Sequence, residues 1–154
     1  MAGSAQLIKP HLHALCLAYV QERIAACQAA IRAAQESANS ETKSSAGDKY
    51  ETGRAMAQNE RDRNAVQLQQ AQQLQGELLR INPEVPCDTV RPGALVHTSM
   101  GTFYLGISAG KLTVEGQDYF AVSAAAPVAA ALAGKRAGEK AVFNGKPVQV
   151  TAIE

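Results

Sequence analysis

The sequence predicts an α+β protein: an N-terminal antiparallel coiled-coil hairpin of two long helices, then a small antiparallel sheet domain with one short helix. Three observations carry this expectation. Apolar and small residues recur at helical spacing in the first half, three prolines cluster in "INPEVPCDTVRPG" (81–93), and six short β-prone runs follow them. The expected boundaries are 1–82 for the hairpin, with its tip near 44–54, and 83–154 for the sheet domain.

In the first helix, Leu17, Val20, Ile24, Cys27, Ile31, Ala34 and Ala38 follow alternating steps of three and four. That is the a/d pattern of a helix packed along a single seam. Pro10 is expected just inside the helix start, where its missing N–H and fixed φ are tolerated. The pattern stops in "SANSETKSSAGD" (37–48), whose Ser, Thr and Asn side chains compete for the backbone and whose Gly47 permits a turn. Ser45 or Asp48 is expected to cap the second helix, and Asp48 to Glu51 has capping-box spacing.

From Tyr50 to about Arg80 the chain has strong helix formers and no proline. Ala71, Leu74, Leu78 and Ile81 supply a seam near its end, whereas Glu60, Arg63, Asn64 and Gln67 make the middle polar and leave its register open. Two helices of ~30 residues, at 1.5 Å per residue, give a hairpin about 45 Å long with an exposed tip.

Pro83, Pro86 and Pro92 end the helical region, because each forbids helix continuation. Beyond them "ALVHTS", "TFYLGIS", "KLTVEG", "YFAVS", "KAVF" and "VQVTAI" read as strands separated by Gly-containing turns. Asn144-Gly145 is the strongest hairpin signal. Between the fourth and fifth runs, "APVAAALAGK" reads as a helix, started at Pro127 and stopped by Gly134.

Over 154 residues, 46% hydrophobic and 19% charged residues with a net charge of +1 describe a globular chain without an overall polyanion-binding bias. Cys16, Cys27 and Cys87 are an odd number at unmatched spacings, so neither a disulfide framework nor a paired zinc motif is indicated, and a cytoplasmic setting is expected. "LHALCLAYV" before "IAAC" imitates a lipoprotein signal, but Gln21, Glu22 and Arg23 stand where small neutral residues are needed. The apolar run is also too short to span a bilayer, and no membrane partner is expected.

The two halves together resemble the Gre transcript-cleavage factors of bacterial RNA polymerase, the GreA/GreB family. "GDKYE" places Gly47, Asp48 and Glu51 on that family's Gly-Asp-x-x-Glu tip motif, and "APVAAALAGK" (126–135) follows its Ser-Pro-Ile-Ala-x-Ala-Leu-x-Gly-Lys stretch. "RAGEKAVFNGKPVQVTAIE" has the family's closing pair of strands, so the likeness covers nearly the whole chain. It implies an FKBP-like C-terminal domain that docks on RNA polymerase and a coiled coil inserted into the secondary channel. There Asp48 and Glu51 are expected to act as the catalytic and metal-holding residues.

The ion implied is a second Mg²⁺ shared with the polymerase active centre. Mg²⁺ prefers oxygen ligands and keeps several waters, so one or two added carboxylates can retain it and orient a nucleophilic water. The chain would then be no enzyme by itself and hold no cofactor or small-molecule substrate of its own. Its expected role is to stimulate hydrolysis of backtracked RNA by the polymerase.

Gre factors usually carry an aromatic residue six positions after the tip Asp, where this chain has Arg54. Glu41 to Arg54 holds three acids and three bases, the bases being Lys43, Lys49 and Arg54. Such bases can contact the RNA 3′ end or pair with the carboxylates. The alternative is therefore a non-cleaving secondary-channel regulator or inhibitor of the same architecture.

Bland readings stand beside these. Asp48 and Glu51 also suit a helix cap with favourable dipole charge. Arg54, Arg61 and Arg63 are interleaved with Glu60 and Asp62, as on a solvated face. His11, His13 and Cys16 lack a fourth ligand at a zinc spacing, and "GISAGKLT" lacks the full phosphate-loop pattern. Cys87 has no local base to activate it. A prolyl isomerase would need an aromatic-walled pocket from Phe103, Tyr104, Tyr119, Phe120 and Phe143, without a Trp.

Overall fold

In the computed structural model, residues 2–42 and 47–154 are described, with side chains described for 8–39 and 52–154. Two helices come first, α1 (Ala2–Thr42) and α2 (Gly47–Leu79). Six strands and a short helix follow: β1 (Leu95–Thr98), β2 (Gly101–Gly106), β3 (Gly110–Val114), β4 (Gln117–Ser123), α3 (Pro127–Leu132), β5 (Lys140–Phe143) and β6 (Lys146–Ile153). The class is α+β, a helical hairpin followed by a sheet with one short helix, and all six β-prone runs form strands. The chain divides into two compact units, one of Met1–Tyr19 with Gly76–Glu154, the other of Val20–Gln75.

In the Val20–Gln75 unit the two helices are antiparallel: Arg61 on α2 reaches Gln35 on α1, and Ala57 and Ala38 border one notch. Of the predicted seam along α1, Val20, Cys27, Ala34 and Ala38 are buried, and Leu17, Ile24 and Ile31 are half-buried. On α2 the buried and half-buried positions include Ala57, Arg61, Asn64, Leu68, Ala71 and Leu74. The register left open by the sequence thus runs through two polar residues, with buried alanines allowing close approach.

Pro10 lies inside α1 rather than at its start. A proline disfavours helical geometry at the residue before it, here Lys9. The Lys9 side-chain nitrogen donates to the carbonyl of Val85 at 2.8 Å and the main-chain oxygen of Glu154 at 3.1 Å, so tertiary bonds hold the residue that the local rule would release.

The sheet order is β3-β4-β2-β1-β6-β5. It is mixed rather than antiparallel throughout, because β2 and β4 pair in parallel, Phe103 opposite Phe120 and Leu105 opposite Val122. After β2 the chain passes one strand position to form the edge strand β3, and β4 returns into the gap between them. A strand inserted this way runs in the direction of β2.

Turn chemistry fixes both outer hairpins. Asn144 (φ 53°) and Gly145 (φ 75°) form the two-residue turn between β5 and β6, and Glu115 (φ 53°) and Gly116 (φ 78°) form the one between β3 and β4. Positive φ at both central residues matches the right-handed strand twist. α3 starts at Pro127 after an extended Ala126, and Gly134 (φ 74°) follows its end.

The sheet is covered on both faces. On one, Val96, Phe103, Leu105, Val148 and Val150 pack with Cys87, Val90, Ala129 and Leu132. On the other, a Cβ at Gly106 would lie 3.3 Å from Leu78 Cδ2, which marks how closely the end of α2 approaches β2. Leu78→Ala, at a fully buried position, is expected to lower unfolding free energy by about 2–5 kcal/mol. Gly145→Ala is expected to cost about 1 kcal/mol through its left-handed φ; urea denaturation of both variants checks these values.

Candidate functional site

The motif residues Asp48 and Glu51 fall in the first turns of α2. Their side chains lie outside the described residues, as do Lys43, Lys49 and the capping candidate Ser45. Side chains of the helix that carries them are described from Thr52 onward, and there the two helices build a polar notch over small residues. Ala34, Ala38 and Ala57 are buried, while Gln35, Asn39, Arg54, Gln58 and Arg61 rim the notch.

A chain of hydrogen bonds orders this rim. Arg61 Nη1 donates to Gln35 Oε1 at 3.1 Å, and Gln35 Nε2 donates to Asn39 Oδ1 at 3.2 Å. Arg61 Nη2 also meets Asp62 Oδ1 at 3.4 Å, a pair exposed enough to contribute little stability. Asn64 Nδ2 donates back to the Glu60 carbonyl at 2.8 Å, so an amide at a seam position satisfies itself along its own helix. Arg61 is thus half-buried between the helices, while Arg63, Glu60 and Asp62 are exposed. The three arginines picked out in the sequence do not form one uniform face.

A second group of chemically capable residues lies where the start of α1 meets the sheet: Lys9, His13, Cys16, Cys87 and Tyr104, all buried. His13 Nδ1 lies 2.9 Å from the Tyr104 hydroxyl, with the rings edge to face at 89°. Burial lowers the His13 pKa, partly opposed by a hydrogen bond with the Leu78 backbone. A neutral imidazole that accepts the Tyr104 O–H at Nδ1 and carries its own hydrogen on Nε2 satisfies both groups.

Burial also pushes the Tyr104 phenol up and raises the Cys16 thiol to about 11. Such a cysteine is a poor nucleophile. Lys9 is lowered by burial, against the opposing pull of Cys87 and Glu154.

His11 is exposed, His13 is engaged with Tyr104, and Cys16 is enclosed. Among the described residues, no three His, Cys, Asp or Glu side chains converge as metal ligands. The five aromatics of the sheet domain divide between its faces. Tyr104 meets His13 on one face, whereas Phe103, 5.8 Å from Phe120 between ring centroids, and Phe143 belong to one core on the other; the Tyr119 hydroxyl donates to Gln117 Oε1 at 3.2 Å. They do not wall one pocket. Among the described residues, no helix is long and apolar enough to cross a membrane.

In the sequence alone His13 stands out only as a metal candidate, and Lys9 does not stand out. The signal was present: steps of four, three and four link Lys9, His13, Cys16 and Val20, so the buried seam extends back beyond Leu17. No family model matches the chain, and no curated protein or solved structure matches it either.

The lowered pKa of His13 has a defined consequence for stability. A base with a folded pKa below its unfolded value of about 6.5 binds more protons when unfolded. Its contribution is therefore full above that pH and is lost as pH falls towards and through the folded pKa. Unfolding free energy followed from pH 7.5 downward is expected to fall more steeply below about pH 6.5 in the parent chain than in His13→Gln.

Proposed function

We propose that the chain is a Gre-type transcription elongation factor. In this reading it binds bacterial RNA polymerase through an FKBP-like sheet domain, inserts its coiled coil into the secondary channel and stimulates hydrolytic cleavage of backtracked RNA. One combination carries the reading: a helical hairpin with Gly47-Asp48-x-x-Glu51 at the start of its second helix, joined in one chain to a sheet with the Pro127-initiated helix and closing hairpin. Either motif alone would be short enough to recur by chance.

The chemistry asked of the tip is modest. Two carboxylates three positions apart on a helix lie on neighbouring surface positions, where they can steady a Mg²⁺ ion or its water. The polymerase supplies the other ligands and the RNA; Asp48 and Glu51 raise occupancy of the second metal position and orient the attacking water. A protein that acts this way needs no complete active site.

The neighbouring bases favour a second reading. Lys49 lies between the two acids and Arg54 follows them, and a cation that pairs with either carboxylate would weaken its hold on a metal. The chain would then occupy the channel without cleaving.

A purified, stalled and backtracked elongation complex separates the two. Addition of the chain is expected to release the 3′ RNA fragment. Asp48→Ala or Glu51→Ala should reduce that release on the order of ten- to a hundredfold, the scale of losing a group that steadies a metal ligand, with polymerase binding kept. Binding without release by the parent chain would contradict the cleavage role, and absence of binding would contradict the family reading.

A further inference from the structure

Lys9 and Cys87 are 78 positions apart in sequence, yet Lys9 Nζ lies 4.0 Å from Cys87 Sγ, with both side chains buried. The amine is held in place rather than merely near. It donates to the Val85 carbonyl at 2.8 Å and the main-chain oxygen of Glu154 at 3.1 Å, and Cys87 Sγ is its third and longest partner. As an ammonium the group has one hydrogen for each of these three partners; once it loses a proton, two hydrogens stay on the oxygens and the lone pair faces the sulfur.

Burial lowers the Lys9 pKa, which moves the group towards its neutral, nucleophilic form. The Cys87 thiol is oriented as well, donating to the Val85 carbonyl at 3.8 Å. Cys16 offers the contrast: it is fully enclosed, and its raised pKa keeps it protonated.

We propose that Lys9 and Cys87 form a redox-sensitive covalent lock, in which a hydroperoxide oxidises the Cys87 thiol and the Lys9 amine captures the oxidised sulfur as a sulfenamide. In the first step Sγ attacks one oxygen of hydrogen peroxide and the O–O bond breaks. One oxygen remains as the sulfenic acid, and the other leaves as water with the thiol proton. Sulfur loses two electrons and the peroxide gains them.

In the second step the Nζ lone pair attacks the sulfenic sulfur. The N–S bond forms, the S–O bond breaks, and the departing hydroxide takes an amine proton to leave as a second water. Condensation of sulfenic acids with nitrogen is established chemistry for backbone amides, and a preorganised amine is the better nucleophile. The product ties the first turns of α1 to the segment before β1. Thiols reverse it by attack on sulfur.

The test is treatment of the full chain with stoichiometric hydrogen peroxide, followed by intact mass and peptide mapping. The expected product is lighter by two hydrogens and joins the Lys9 peptide to the Cys87 peptide. It returns to the parent mass with dithiothreitol, and it unfolds several degrees higher than the reduced chain because the link closes a long loop. Lys9→Arg keeps a hydrogen-bond donor at the position but removes the nucleophilic amine, so it should give no cross-link and let Cys87 proceed to sulfinic acid. Sulfinic acid at Cys87 of the parent chain with Lys9 unmodified would overturn the proposal, as would the same loss of mass in Lys9→Arg.

Discussion

Tyr104 brings a hydroxyl into the junction between the sheet and the start of α1, where its own side chain is fully enclosed. Burying such a group unpaired costs roughly 1–3 kcal/mol, and His13 at 2.9 Å removes that cost while becoming buried itself. Lys9, one turn earlier, adds bonds to the Val85 carbonyl and to the main-chain oxygen of Glu154, which also accepts the Leu95 N–H. No buried side-chain nitrogen or oxygen among the described residues is left without a partner. The first turns of α1 therefore have one geometry in which their polar groups are satisfied, and the sheet, the segment before β1 and the end of β6 are all parties to it.

The Val20–Gln75 unit depends on a different constraint. Its seam is made from alanines, Cys27 and Val20 more than from large side chains, so the helices approach closely but bury little apolar area per turn. Arg61 and Asn64 occupy seam positions that a longer-lived coiled coil would fill with Leu, and they add hydrogen bonds of small net value. A helical pair so built is specified by fit rather than by a large hydrophobic term. In the proposed function, that pair supports Asp48 and Glu51 at the start of α2, and the chemistry demands only that the two carboxylates be presented together.

Much of the fold was readable from local signals. Pro127 and Gly134 bound α3, Asn144-Gly145 turns the last hairpin, and the heptad spacing from Leu17 to Ala38 marks the buried and half-buried edge of α1. Each of these is a property of a few adjacent residues. The parallel pairing of β2 with β4 was not readable, because nothing in either strand records that β3 passes outside before β4 returns. Nor was the continuation of α1 through Pro10, since the contacts that hold Lys9 come from Val85 and Glu154, far away in sequence. As for the candidate site, Asp48 and Glu51 were found by motif alone; the register around Arg61 needed the partner helix, because an arginine at a seam position looks like any surface arginine in one dimension.

In the proposed function the junction of α1 and α2 enters the polymerase. A photo-crosslinking amino acid in place of Tyr50, in a complex of the full chain with bacterial RNA polymerase, tests it most directly. The account predicts cross-links to polymerase segments lining the secondary channel near the active centre, lost on competition with unlabelled chain. Cross-links confined to the outer surface of the polymerase, with the complex still formed, would contradict it.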